Sequence, residues 1–156
     1  TGCSVITYPD LRWHRADIKS TNLLGNVLAN QASSEADCAE ALLYLPDGTM
    51  TEASHSTFFI VKNNALHTTP LKANVLPSIT RAYALKLANM ANIEVIERNL
   101  RRDELLDADE MFLVGTTCEV LPIVTVDGKP VKSGQPGPLT RRLQGVYTES
   151  VKAFLR

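Results

Sequence analysis

Apolar and polar positions along the chain switch between a period of two and a period near 3.6. Residues 4–8 (Ser-Val-Ile-Thr-Tyr) are β-branched and aromatic and run into Pro9-Asp10, the pattern of a short strand closed by a turn. From residue 20 to about 33, Leu23, Leu24, Val27, Leu28 and Ala32 recur at helical spacing, with Ser20 or Thr21 placed to cap the start. Residues 38–45 predict a strand, Pro46-Asp47-Gly48 a hairpin turn, and 49–57 a returning run that leads into Phe58-Phe59-Ile60-Val61. Asn63-Asn64 makes a second turn before residues 65–69. A helix is predicted from Ile79 to about Asn92, carrying Ile79, Ala82, Tyr83, Leu87 and Met90, with Ser78 as its cap. Residues 94–100 predict a strand and 102–108 a short acidic helix. Residues 109–114 predict a strand ending in Gly115-Thr116-Thr117, and 118–126 another before the Asp127-Gly128 turn. Pro138 opens the last helix, whose Leu139, Leu143, Val146, Tyr147, Ser150, Val151 and Phe154 form one core-facing stripe. No repeat, low-complexity tract or linker divides the chain, which predicts a single domain mixing strands and helices.

Composition narrows the function classes. At 156 residues the chain can bury a continuous core, and its net charge of −1 supplies no field for nucleic acid or an anionic membrane. Cys3, Cys38 and Cys118 are odd in number, widely spaced and in no CxxC pattern. That argues against a disulfide framework or zinc site and for a reducing compartment, so a cytoplasmic location is expected. His14, His55 and His67 stand apart without ligand spacing, so no metal is expected. No apolar run approaches membrane length and no signal-like segment opens the chain. It begins at Thr1 without methionine, which reads as a processed chain or a piece of something longer.

Five stretches carry candidate chemistry. Lys19 sits in Ala16-Asp17-Ile18-Lys19-Ser20-Thr21, where a strand ends and a helix is predicted to begin. A fixed backbone, a dry neighbourhood and the positive end of a helix dipole there would lower an amine's pKa and make it a Schiff-base nucleophile. Taken alone, a single lysine is more often a solvated cation. Beside it, Arg12, Trp13, His14 and Arg15 read either as a cation–π surface feature or as an anion-facing edge. The hydroxyl-rich run from Thr51 to Thr57, holding the lone Glu52, abuts a strand that reads as buried on both faces. It is either a wet loop of self-satisfied turns or a polar wall around a ligand. Finally, the N–H groups of Ile79, Thr80 and Arg81 at a helix start form an anion site of the phosphate-binding kind, and Gly115-Thr116-Thr117 follows a strand. A phosphorylated aldehyde cofactor with a ring nitrogen needs that set: an amine, a carboxylate, and N–H and hydroxyl donors.

The strings ADIKSTNLLGNVLA, TEASHSTFFIV, NVLPSITR and MFLVGTTCEVLP resemble the C-terminal domain of the fold-type IV (class IV) pyridoxal-phosphate-dependent aminotransferases. The D-amino-acid aminotransferases are the nearest branch, and VDGKPVKSGQPGPLTRRLQ extends the likeness nearly to the chain's end. The resemblance implies the family's mixed α/β pseudo-barrel, with strands packed by about three helices, and pyridoxal 5'-phosphate as cofactor. It implies Lys19 as the Schiff-base lysine and proton shuttle, and Glu52 as the carboxylate facing the pyridine nitrogen. It further implies Ile79, Thr80 and Thr116 as phosphate donors, Leu76 as the apolar contact under the ring, and Ser56 and Thr57 as a polar pair near ring and phosphate. Three positions depart from the family's pattern: Ser78 stands for a usual glycine, Thr57 for a frequent asparagine and His55 for a small residue.

By the same resemblance residues 1–156 are the C-terminal cofactor-binding domain, and the family's smaller N-terminal domain lies outside this sequence. The implied reaction is transamination between a D-amino acid and a 2-oxo acid in an intact enzyme that works as a homodimer, with no nucleic-acid or membrane partner. Within the superfamily a 4-amino-4-deoxychorismate lyase or a branched-chain aminotransferase uses the same lysine and glutamate. From another class, the chain is a non-catalytic fragment that binds only cofactor or a partner.

Overall fold

The computed structural model describes residues 2–154. Strand β1 (Cys3–Pro9) is followed by a long loop and helix α1 (Leu24–Glu35). Strands β2 (Glu40–Tyr44), β3 (Met50–Ala53), β4 (Thr57–Lys62) and β5 (Ala65–Thr68) come next, then helix α2 (Ile79–Met90) and the short β6 (Val95–Glu97). A 3-10 turn at Arg102–Asp107 stands where the sequence predicts an acidic helix, before β7 (Glu110–Gly115), β8 (Glu119–Val126), the two-residue β9 (Lys129–Pro130) and α3 (Pro138–Phe154).

Among the described residues the strands form one sheet in the order β3-β2-β1-β8-β7-β4-β5-β6, with β9 paired to β8. Pairing is parallel for β1 with β2, β1 with β8 and β5 with β6, and antiparallel elsewhere. The sheet curls until its ends meet. Thr49 bridges Arg101, the Met50 N–H donates to the Leu100 carbonyl at 2.8 Å, and the Thr69 hydroxyl donates to the Thr51 carbonyl at 2.8 Å. These bonds join β3, at one edge, to the chain beside β5 and β6 at the other, closing a pseudo-barrel. Closure hides edges that would otherwise stay open to pairing.

Alternation along the strands sends residues to two cores. Phe58, Ile60, Met111, Leu113 and Ile123 point inside with Val5, Leu42 and Met50. Their neighbours Phe59, Val61, Phe112 and Val114 face outward, where Leu87 and Ala88 of α2 and Leu139 and Leu143 of α3 cover them. That is why β4 and β7 read as unbroken apolar runs. Helix α1 covers a third, small patch through Ala29 against Ala41 and Leu43.

Local signals set several boundaries. Asn63 and Asn64 take φ of 52° and 63°, the left-handed pair a tight hairpin turn requires. Ser78 caps α2 by accepting from the Arg81 N–H at 3.2 Å. Strand β6 is shorter than the sequence predicts. The apolar stripe of α3 outruns the core: Leu139 and Leu143 are buried, while Phe154 is 89% exposed.

The largest difference is at α1. It begins at Leu24 instead of residue 20, and Leu23 at its N-cap makes no side-chain cap bond. Ser20 is spent in the loop, its Oγ accepting from the Asn22 N–H at 3.3 Å. What sets the start is Gly25: a Cβ there would lie 2.8–2.9 Å from backbone atoms of Leu11 and Arg12, so the first helical turn rests on that loop. Helix α1 therefore buries Ala29 and Ser33 and turns Leu24 and Leu28 outward, while its Val27 and the preceding Leu23 stay exposed at the rim of a cavity.

Candidate functional site

The loop between β1 and α1, the end of β3 and the residues before α2 enclose a cavity of about 320 Å³. Lys19, Glu52 and Leu76 line it together, with Ala16, Ile18, Leu23 and Val27 as apolar wall and Ser54, His55 and Asn26 at its polar side. Its size is that of ordinary small-molecule sites. The loop is pinned by Ala16, which is buried, and by the Asp17 N–H donating to the Ala73 carbonyl at 3.0 Å. The Asn26 amide donates to the Ser54 carbonyl at 2.9 Å, tying α1 to the turn after β3.

Lys19 itself is exposed, and it lies five residues before α1. The dry neighbourhood and the adjoining helix dipole expected of it are thus not features of this chain, because the helix starts later. What the fold does provide is placement beside a buried carboxylate. Of the run from Thr51 to Thr57, the middle residues Glu52, Ala53, Ser54 and His55 border the cavity, while Thr51, Ser56 and Thr57 are buried away from it.

Glu52 is held by Arg12. The Arg12 Nη1 donates to Glu52 Oε1, and the Leu76 N–H lies 3.4 and 3.3 Å from the two carboxylate oxygens. Burial pushes the Glu52 carboxyl above its usual range, and the Arg12 charge only partly offsets this. Arg12 is shared: its Nε and Nη2 donate to Asp10 at 2.9 and 2.8 Å, and Nη2 also reaches the Asn74 carbonyl at 2.9 Å. The Thr51 hydroxyl donates to Asp10 Oδ2 at 2.7 Å. Burial acts to raise Asp10, but the Arg12 hydrogen bonds and charge outweigh it and hold that carboxyl below its usual value. Arg12 is therefore neither a surface cation–π partner nor part of an anion-facing edge; its side chain is 6% exposed and faces two carboxylates. Sequence reading missed this trio. The signal available was that a buried glutamate requires a cation, with Arg12 two residues beyond Asp10.

The expected phosphate donors meet outside the lining of this cavity. Thr80, in the first turn of α2, and Thr116, after β7, bring their hydroxyl oxygens to 3.3 Å of each other. Ile79 is 88% exposed, so any part it has is through its backbone. Ser78 takes the Arg81 N–H, which removes one of the three expected amide donors. Ser56 and Thr57 do not line the cavity. Ser56 Oγ donates to the buried Glu40 at 2.7 Å, and the His55 N–H donates to the other Glu40 oxygen at 2.9 Å, so Glu40 fixes the turn. Gly115 packs on Ser56, where a Cβ would lie 3.1 Å from the serine Cβ. Thr57 pairs with Val114, and its buried hydroxyl has no partner among the described residues. Among those residues there is no cluster able to hold a metal ion, and no helix long and apolar enough to cross a membrane.

The curled mixed sheet thus brings a lysine and a partly paired buried glutamate to one cavity. Comparison with known proteins gives the family. The chain belongs to the amino-transferase class IV family, whose model matches residues 4–126. It is 42% identical over 150 residues to a D-alanine aminotransferase of Bacillus licheniformis, covering 96% of this chain and 53% of that protein. It is 38% identical to a D-alanine aminotransferase of Staphylococcus aureus (strain COL), covering 97% and 54%. Among solved structures it superposes on a T.th. branched-chain amino acid aminotransferase complexed with N-(5'-phosphopyridoxyl)-L-glutamate. That match has a TM-score of 0.89 at 30% identity, covering 97% of this chain and 52% of that one. The PLP-form branched-chain amino acid aminotransferase of Thermobaculum terrenum matches with a TM-score of 0.89 at 32% identity, over 97% and 51%. The chain spans about half the length of the curated relatives it matches. The fold is that of the class IV aminotransferases, and the expected pyridoxal-phosphate cofactor agrees with what these solved neighbours carry.

Proposed function

We propose that this chain is the C-terminal, cofactor-binding domain of an aminotransferase that exchanges the amino group between a D-amino acid and a 2-oxo acid, with Lys19 carrying pyridoxal 5'-phosphate. The observation that supports it most is that Lys19 of the loop and Glu52 of β3 line one cavity. The residues fit the cofactor chemically. Glu52 has acceptor capacity left over for a protonated ring nitrogen, and Leu76 offers an apolar surface in the same wall. The Thr80 and Thr116 hydroxyls and the first amides of α2, at Ile79 and Thr80, suit a phosphate.

When bound, the cofactor supplies an electron sink for charge developing at a substrate's α-carbon. The protein's own part is to keep Glu52 ionised, to hold the reacting amine at Lys19, and to let Lys19 Nζ take and return the α-proton. Ser56 serves by holding its turn on Glu40, and the unpartnered Thr57 hydroxyl is a group a bound ligand or water would satisfy. The remaining half of the intact enzyme supplies the substrate-carboxylate contacts. The outward leucines of α1 favour a covered face there, within a homodimer, and the three free thiols favour a cytoplasmic setting.

The D-amino-acid branch is preferred because identity to D-alanine aminotransferases exceeds that to the branched-chain enzymes over the same span, 42% against 30% for the two matches compared. The test is borohydride reduction of this chain after adding pyridoxal phosphate, followed by peptide mass analysis. A cofactor adduct on Lys19, missing in Lys19→Ala, is the expected result; an adduct spread over surface lysines in both would overturn the site. Assay of the intact enzyme with D-alanine, L-leucine and aminodeoxychorismate then decides among the three activities.

A further inference from the structure

Buried beside the cavity are two carboxylates and one guanidinium, so Asp10, Arg12 and Glu52 together carry one uncompensated negative charge. Their bonds are unevenly shared. Asp10 takes two side-chain N–H groups of Arg12, a third from the Arg12 backbone at 3.1 Å, and the Thr51 hydroxyl. Glu52 takes one Arg12 N–H and the distant Leu76 amide, and it alone of the two carboxylates lines the cavity. The other titratable groups lining the cavity are Lys19 and His55, and the neighbouring β3 and the residues before α2 contribute Thr51, Asn74 and Leu76, which carry no charge.

We propose that Asp10 is a positioning residue that absorbs the charge of Arg12, so that the ionised Glu52 stays a strong acceptor for a cationic ring nitrogen. Without Asp10, Arg12 would form a closed neutral pair with Glu52, and Glu52 would become a poor acceptor for the ring proton. Without Arg12, two buried carboxylates would compete and one would take a proton. The trio thus solves two opposed demands: Arg12 keeps Glu52 ionised, and Asp10 keeps Arg12 from neutralising it. This rests on the cofactor reading above for what enters the cavity, but its central claim concerns the protein alone.

The experiment titrates the Glu52 carboxyl by carbon-13 NMR in the chain without cofactor. Asp10→Asn is expected to move the Glu52 midpoint down, and Arg12→Gln to move it up, while the charge-preserving Arg12→Lys stays nearer the wild type than Arg12→Gln. Opposite displacements are the signature, because loss of a merely structural contact has no reason to split the two by sign. Where Asp10→Asn does not fold, Asp10→Ser takes its place in the titration, with the same downward displacement expected. With nitrogen-15 pyridoxal phosphate added, Asp10→Asn should shift the ring-nitrogen resonance toward the unprotonated position and weaken binding about tenfold. If Glu52 titrates alike in all variants, or both substitutions move it the same way, the inference is overturned whether or not cofactor binds. If the titrations split as stated but no adduct forms on Lys19, the cofactor reading fails and the charge device stands.

Discussion

Two of the buried glutamates, Glu110 and Glu52, are finished to different degrees. Glu110, at the start of β7, gives one oxygen to the Leu139 N–H at 2.9 Å and the other to the Thr140 N–H at 2.7 Å, capping α3. Around it the outer face is closed: Phe59 stacks on Phe112 with ring centroids 5.1 Å apart, under α2 and α3. Glu52 is as buried, yet its one charged partner is shared with Asp10 and its carboxylate borders a cavity. Equal burial therefore hides opposite uses. A carboxylate ended by two fixed amides holds the fold together, whereas one left with acceptor capacity is open to the ligand proposed above.

The largest loss of stability is expected on the closed side. Phe112→Ala should lower the unfolding free energy by about 4 kcal/mol in urea, because it empties a stacked, fully buried position that the helices cannot follow inward. Gly137→Ala should cost about 2–3 kcal/mol, because the added Cβ would overlap the Glu110 carboxyl and push it off both amides. A change under about 0.5 kcal/mol would mean that Glu110 can re-form its cap from another position. By contrast Glu52→Gln should change stability by less than about 1 kcal/mol, since Arg12 retains Asp10 and a poorly solvated charge is removed. If that substitution proved as costly as the one at Gly137, the distinction between the two carboxylates would be lost.

Why some of these contacts are legible in the sequence and the trio is not comes down to distance along the chain. Ser78 capping Arg81, the Asn63-Asn64 turn and the strands β4 and β7 rest on neighbours within a few residues, so the local pattern carries them. The start of α1 does not. Ser20 and Thr21 look like caps, but the backbone of Arg12 packing on Gly25 decides where the helix begins. The Arg12–Glu52 pair joins positions forty residues apart, and Asp10 reads in sequence only as the residue after a strand. Lys19, Glu52 and Leu76 are expected together only through family resemblance, since nothing in their spacing brings them to one cavity. The same limit applies to Ser56, which the resemblance places near ring and phosphate and whose hydroxyl donates to Glu40 of β2 in the fold.

Acidity sharpens the contrast without breaking any packing. Asp10 has a folded-state value below its ordinary 3.8, so its contribution to stability is present above that pH and is lost as pH falls through the folded value. Glu52 has a folded-state value above its ordinary 4.5, so its contribution is present below that pH and is lost as pH rises through the folded value. Stability measured by urea titration across this range should therefore carry two opposed slopes. Glu52→Gln should flatten the limb above pH 4.5 and leave the acid limb. Asp10→Asn should flatten the acid limb below pH 3.8.

The smallest effect belongs to α1. Its buried contacts are Ala29 and Ser33, small residues that let the helix lie close to Ala41 and Leu43, while Leu24 stands 68% exposed. Replacing an exposed leucine removes little area that folding had buried, so Leu24→Gln should change the stability of this chain by no more than about 0.5 kcal/mol. The cut at Phe112, under α2 and α3, costs several times that. Leu24 thus adds little to this fold, and the proposed intact enzyme is where its exposure can be tested. There Leu24→Gln should weaken the proposed homodimer or its domain packing, seen as a lower sedimentation coefficient at a concentration where the wild type remains assembled. Equal behaviour of both forms in the chain and in the intact enzyme would leave the outward face of α1 an ordinary surface.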